Sequence, residues 1–112
     1  MVKSDKQTVK TMLVDVRKAI DNRNYALARR PKNKETLSFF GWTDEDVYDR
    51  IYDLNYGDYY KGPEDDDKGY SDKWWFFRYH ELGRSIYIKF ALNYTVEPAP
   101  RLFVLSFHLD DN

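Results

Sequence analysis

KWWFFRYHELGRSIYIKFALNYTVEPAPRLFVLSFHL, residues 73–109, decides the fold. Three aromatic-rich runs are separated by the turn signals ELGR and VEPAP. Runs of this composition and spacing predict a three-strand antiparallel meander. DYYK, residues 58–61, supplies a candidate fourth strand, and GPEDDDKGYSD after it reads as loop by composition.

Alternation sorts each run into two faces. Over 73–80, Trp75, Phe77 and Tyr79 share one side, and Trp74, Phe76, Arg78 and His80 the other. Over 84–92, Ile86, Ile88, Phe90 and Leu92 form an apolar row, with Tyr87 and Lys89 opposed. Over 101–109, Phe103, Leu105, Phe107 and Leu109 form the apolar row, with Val104, Ser106 and His108 opposed. A bulge of one residue would move part of a row to the other side.

Helices precede these strands. In KQTVKTMLVDVRKAIDNR, residues 6–23, Val9, Met12, Leu13, Val16 and Ile20 recur at helical spacing. Tyr25 to Arg29 reads as a short extended piece, and Pro31 biases Arg30 towards an extended backbone. A short helix is expected over Glu35–Phe40, ended by Gly41. Thr43 and Asp46 form a capping-box-like start for DEDVYDRIYDL, with Val47, Ile51 and Leu54 as its buried stripe. Helices first and strands later predict an α+β domain, with helices packed on one face of a twisted antiparallel sheet.

The chain has 112 residues, a length that predicts a single domain over 1–112. Ten Tyr, seven Phe and three Trp can anchor a core in a short chain, so disorder throughout is not expected. The absence of cysteine excludes disulfides and cysteine-type zinc sites. A polar N-terminus and no long apolar run predict a cytoplasmic protein with no membrane contact. Residues 1–34 carry ten Lys/Arg against three Asp, a net +7, and residues 35–112 a net −8. RNA would therefore be met through a local patch and not by bulk charge.

The polar face of the meander holds the chemistry. Arg78, His80, Tyr87, Lys89, Ser106 and His108 fall there, including both histidines of the chain. Attack of a ribose 2′-OH on the adjacent phosphodiester needs a base, an acid and positive charge, which His, Tyr, Lys and Arg supply. The same residues also suit an ordinary solvated sheet face.

The acids Glu64 to Asp67 raise a metal question. An EF-hand started at Glu64 has Gly69 in sixth place but Trp75 in the twelfth, where a carboxylate should close the site. A solvated loop is the expected reading, with no metal. GxGxxG, GxxxxGK[ST] and GxSxG are absent, and no cofactor is expected.

In order, a helix, DYYKGPE, a Trp-led strand, IYIKF and a closing LSFH resemble the MqsR-like toxins of bacterial toxin–antitoxin pairs, within the RelE-like group. The likeness covers roughly residues 43–109, with a weaker match for the N-terminal helix. It implies a metal-independent endoribonuclease that cuts messenger RNA, arrests growth and is held inactive by a cognate antitoxin, with the ribosome as a further candidate partner. Lys61 matches the lysine of the family's DFYK-like motif, and Tyr87 the tyrosine of its Tyr-x-Lys strand. His108 stands where the family often has lysine. With Trp75 as the match, Phe76 replaces the family's glutamine. On this resemblance Lys61, Tyr87 and His108 are the catalytic candidates, and Arg78, His80 and Lys89 the substrate-binding ones. Two other readings fit the same residues. One is a non-enzymatic inhibitor whose acidic segment meets a basic partner, and the other a RelE-fold relic that binds only its antitoxin.

Overall fold

The computed structural model describes residues 3–66 and 72–110. Helix α1, Lys6–Asp21, buries Val9, Met12, Leu13, Val16 and Ala19, and its first turn is capped by Asp5, which accepts the Thr8 N–H at 2.8 Å. Helix α3, Asp44–Tyr52, buries Val47, Tyr48 and Ile51. The Asp46 carboxylate accepts the Thr43 N–H at 2.8 Å, which closes the expected cap. Helix α2 is longer than expected and runs from Pro31 to Phe40. Pro31 begins it, because a first-turn residue needs no N–H partner within the helix. Arg30 is extended ahead of it, and Gly41 ends it in the left-handed region at φ 73°.

Among the described residues the sheet has five strands, in the order β1–β5–β4–β3–β2. Strands β2 (Tyr59–Glu64), β3 (Trp74–Glu81), β4 (Arg84–Asn93) and β5 (Arg101–Leu109) pair antiparallel. The α+β class stands as expected. The extended piece after α1 adds β1, Tyr25–Leu27, which pairs parallel to β5 and makes the sheet mixed. Strand β2 continues through Gly62, Pro63 and Glu64, where composition suggested loop. It is an edge strand, the position in which a sheet tolerates proline. The remainder of the acidic run, from Asp67, lies outside the described residues.

Strand β5 departs from plain alternation. Lys89 pairs with Ser106 and Phe90 with Val104, so Leu105 is an extra residue. This bulge reverses the phase of the strand's first half. Leu102 and Val104 are fully buried on the core side, while Phe103 is 37% exposed and Leu105 packs on the opposite face. The expected apolar row therefore holds only for Phe107 and Leu109, and Val104 is corrected to the core. Phe77, Ile86, Ile88, Phe90, Leu102, Val104 and Phe107 pack with the buried stripes of α1 and α3. Each such side chain contributes about 1.5–3 kcal/mol on burial. On the other face, Trp74, Phe76 and Ala91 form a second apolar patch with Tyr60, Tyr87 and Leu105.

Among the described residues, no strand lies beside the outer edge of β5 beyond Val104, and α2 takes that place. Asn33 donates to the carbonyls of Leu105 (3.1 Å) and Ala28 (2.9 Å) and accepts the Phe107 N–H at 2.9 Å. Thr36, one turn on, accepts the Leu109 N–H through its hydroxyl at 2.9 Å. Two helix side chains thus satisfy alternate backbone groups of an edge that would otherwise be buried without partners. That role accounts for the burial of Asn33 and Thr36, at 1% and 2% exposure.

Candidate active site

Register brings the candidate residues into two adjacent cross-strand rows. Lys61 pairs with Phe76, Phe76 with Lys89 and Lys89 with Ser106, from β2 to β5. In the next row Arg78 pairs with Tyr87 and Tyr87 with His108. His80 lies one side-chain position further along the same face, opposite Ser85, exposed near the end of β3.

Where the rows approach α2, a cleft of about 500 Å³ is lined by Tyr87, Lys89, Ser106 and His108 from the sheet and by Arg30, Pro31, Lys32 and Asn33 from the helix. The rings of Tyr87 and His108 are 5.4 Å apart, centre to centre. His108 Nδ1 is 3.0 Å from the carbonyl oxygen of Leu109. A carbonyl only accepts, so this contact places the proton of the neutral imidazole on Nδ1 and leaves the lone pair on Nε2. The Tyr87 phenol is pushed up from its ordinary value, first by burial and then by the nearby Asp110, Tyr60 and Glu64, with Arg78 acting against them. It is held as the neutral donor at neutral pH.

Phe76 is the centre of the cationic group. The Lys61 ammonium lies 4.5 Å from its ring centre and that of Lys89 5.3 Å, while Lys89 is also 4.9 Å from Trp74. The ring face, negative in its quadrupole, offers the two lysines a shared partner without forming a hydrogen bond to either. Lys61 is further paired with Glu64 at 3.2 Å. Beside it Gly62 is pressed to its neighbour strand: a Cβ there would lie 2.8 Å from the Trp74 carbonyl oxygen. Arg78 stacks over Tyr60 at 4.2 Å and pairs with Asp110 at 3.3 Å. The loop acids are engaged too, Asp65 with Lys73 and Asp66 with the Trp74 indole N–H.

A family model described as motility quorum-sensing regulator, toxin of MqsA, matches residues 8–109. The chain belongs to the MqsR toxin family. No curated protein and no solved structure shows significant similarity to it. Membership makes it one of a family of toxins that have an antitoxin partner. The match takes in most of α1, where the resemblance was weaker, and adds β1 and α2. No helix among the described residues is long and apolar enough to cross a membrane.

Of the six candidates in this MqsR-family chain, Tyr87, Lys89 and His108 meet in the cleft. Lys61 and Arg78 flank it on the β2–β3 side, and His80 stands apart from it. Sequence reasoning missed Arg30 and Lys32. The basic run ARRPKNK, with a proline able to begin a helix, was the available signal. Reading Pro31 only for its effect on Arg30, with the helix begun at Glu35, concealed it.

Proposed function

We propose that the protein is a toxin that cleaves messenger RNA by attack of the ribose 2′-OH on the adjacent phosphodiester. The observation that carries this reading is the Tyr87–His108 pair beside Lys89 in a cleft open to solvent. His108 Nε2 takes the 2′-OH proton as general base. The 2′-oxygen bonds to phosphorus and the bond to the 5′-oxygen breaks, which leaves a 2′,3′-cyclic phosphate on one fragment. The departing alkoxide is much more basic than a phenolate, so proton transfer from neutral Tyr87 is downhill and gives a 5′-hydroxyl on the other. Lys89 and Lys61 balance the charge that grows on the phosphoryl oxygens. Arg78 holds the chain alongside, and His80 belongs to the outer approach. All of these residues come from one continuous domain acting on cytoplasmic messenger RNA, free or on the ribosome.

Expression in a bacterium should arrest growth, and purified protein should convert RNA to fragments with 2′,3′-cyclic phosphate and 5′-hydroxyl ends. His108→Ala should relieve the growth arrest and slow cleavage by about 10²–10⁴ while the protein remains folded. Intact RNA and normal growth at high expression would sink the reading.

A further inference from the structure

The row from Lys61 to Ser106 crosses four strands, roughly 14 Å at the usual strand spacing of about 4.8 Å. That distance is more than a single phosphate group spans. Tyr87 and His108 adjoin Lys89, in the middle of the line, so the catalytic pair accounts for one phosphate only. At the far end Ser106, 3% exposed, accepts a hydrogen bond from the Arg30 guanidinium at 3.3 Å. Lys32 joins Arg30 on the same wall of the cleft. Lys61 and Arg78 each have a carboxylate partner, but among the described residues neither Arg30 nor Lys32 is ion-paired. The wall itself is fixed, since Asn33 and Thr36 bind α2 to the backbone of β5.

We infer that Arg30 and Lys32 form a second phosphate site, which holds the nucleotide next to the scissile bond as single-stranded RNA crosses β4 and β5 towards α2. Ser106 is a positioning residue that aims Arg30. This inference rests on the RNA-cleaving reading and deepens it by giving the strand a direction across the sheet.

The test uses a fluorescein-labelled, mixed-sequence 2′-O-methyl oligoribonucleotide, which lacks the attacking hydroxyl and so survives. Fluorescence anisotropy over a salt series reads both affinity and the number of phosphates contacted. The double variant Arg30→Ala/Lys32→Ala should weaken binding about tenfold and reduce the log–log salt slope by about 0.7, the value for one phosphate on a single strand. Ser106→Ala should weaken binding by a smaller factor. Lys10→Ala/Lys18→Ala removes the same charge from exposed positions of α1 and should leave the slope unchanged. On cleavable RNA the Arg30/Lys32 variant should raise KM with kcat nearly unchanged. Equal losses in both double variants, unchanged binding in the first, or no binding by the wild type would overturn the inference. Cleavage with wild-type KM in the Arg30/Lys32 variant leaves the nuclease reading intact and removes the second site. Slope-changing binding without any cleavage does the reverse.

Discussion

The Asn33 side chain accepts the Phe107 N–H at 2.9 Å and donates to the Leu105 carbonyl at 3.1 Å, so one carboxamide spans the bulge in β5. The contact fixes the wall of the cleft to the strand that carries Ser106 and His108. Replacing Asn33 by Ala leaves these backbone groups without their partner in a buried setting, at a cost of about 2–4 kcal/mol. Asn33→Asp should also destabilise, because a carboxylate can accept from Phe107 but cannot donate to Leu105 or Ala28. Urea denaturation of the two variants checks both. Wild-type midpoints would show that the edge is satisfied in another way.

The His108–Tyr87 pair makes a separable kinetic prediction. Removal of a general base typically costs 10²–10⁴ in rate. His108→Ala should lose about that much in kcat while holding the uncleavable oligonucleotide nearly as well as wild type. Tyr87→Phe keeps the ring contacts with Phe76 and His108 and removes only the hydroxyl. A fall in kcat of about 10² without a change in the urea midpoint would identify the phenol as the acid.

Two neighbouring residues show how much of this was legible in the sequence. Alternation placed the residues of β3 and β4 on their correct faces, because the two strands pair with no bulge between them. The same rule put Phe103 in the core and Val104 outside, and the bulge at Leu105 reverses both. A bulge leaves little trace in a strand as uniformly apolar as RLFVL. Ser106 and His108 follow the bulge, so their face was legible even though the strand's first half was not. The parallel pairing of β1 with β5 joins residues far apart in the chain and has no local signature. The corrected phase predicts that Val104→Ala costs about 2 kcal/mol through lost burial and the cavity left behind. Phe103→Ala should cost less than about 1 kcal/mol, although more atoms are removed. Thermal denaturation that ranks them the other way would contradict the observed register.

The acids around the site make the last prediction, and they explain how an excess of negative charge coexists with an RNA surface. Glu64 pairs with Lys61 and Asp110 with Arg78, so two of the site's cations face RNA partly neutralised. The same two carboxylates raise the Tyr87 phenol beyond the effect of burial. A raised pKa keeps the phenol protonated at pH values where an ordinary tyrosine, near 10, begins to ionise. The alkaline limb of the pH–rate profile should therefore lie above that value, since it reports loss of the acid. Glu64→Gln/Asp110→Asn should shift the limb downward and the phenol's titration with it. Carbon NMR of ring-labelled tyrosine, with Tyr87 assigned through Tyr87→Phe, reads the titration directly. The same double variant frees Lys61 and Arg78 and removes repulsion of the backbone, so it should bind the oligonucleotide several-fold more tightly at low salt and lose that advantage as salt screens the charges. Tighter binding with an unmoved tyrosine titration would mean that the carboxylates act on the RNA alone. Unchanged binding would mean that the ion pairs do not compete with phosphate.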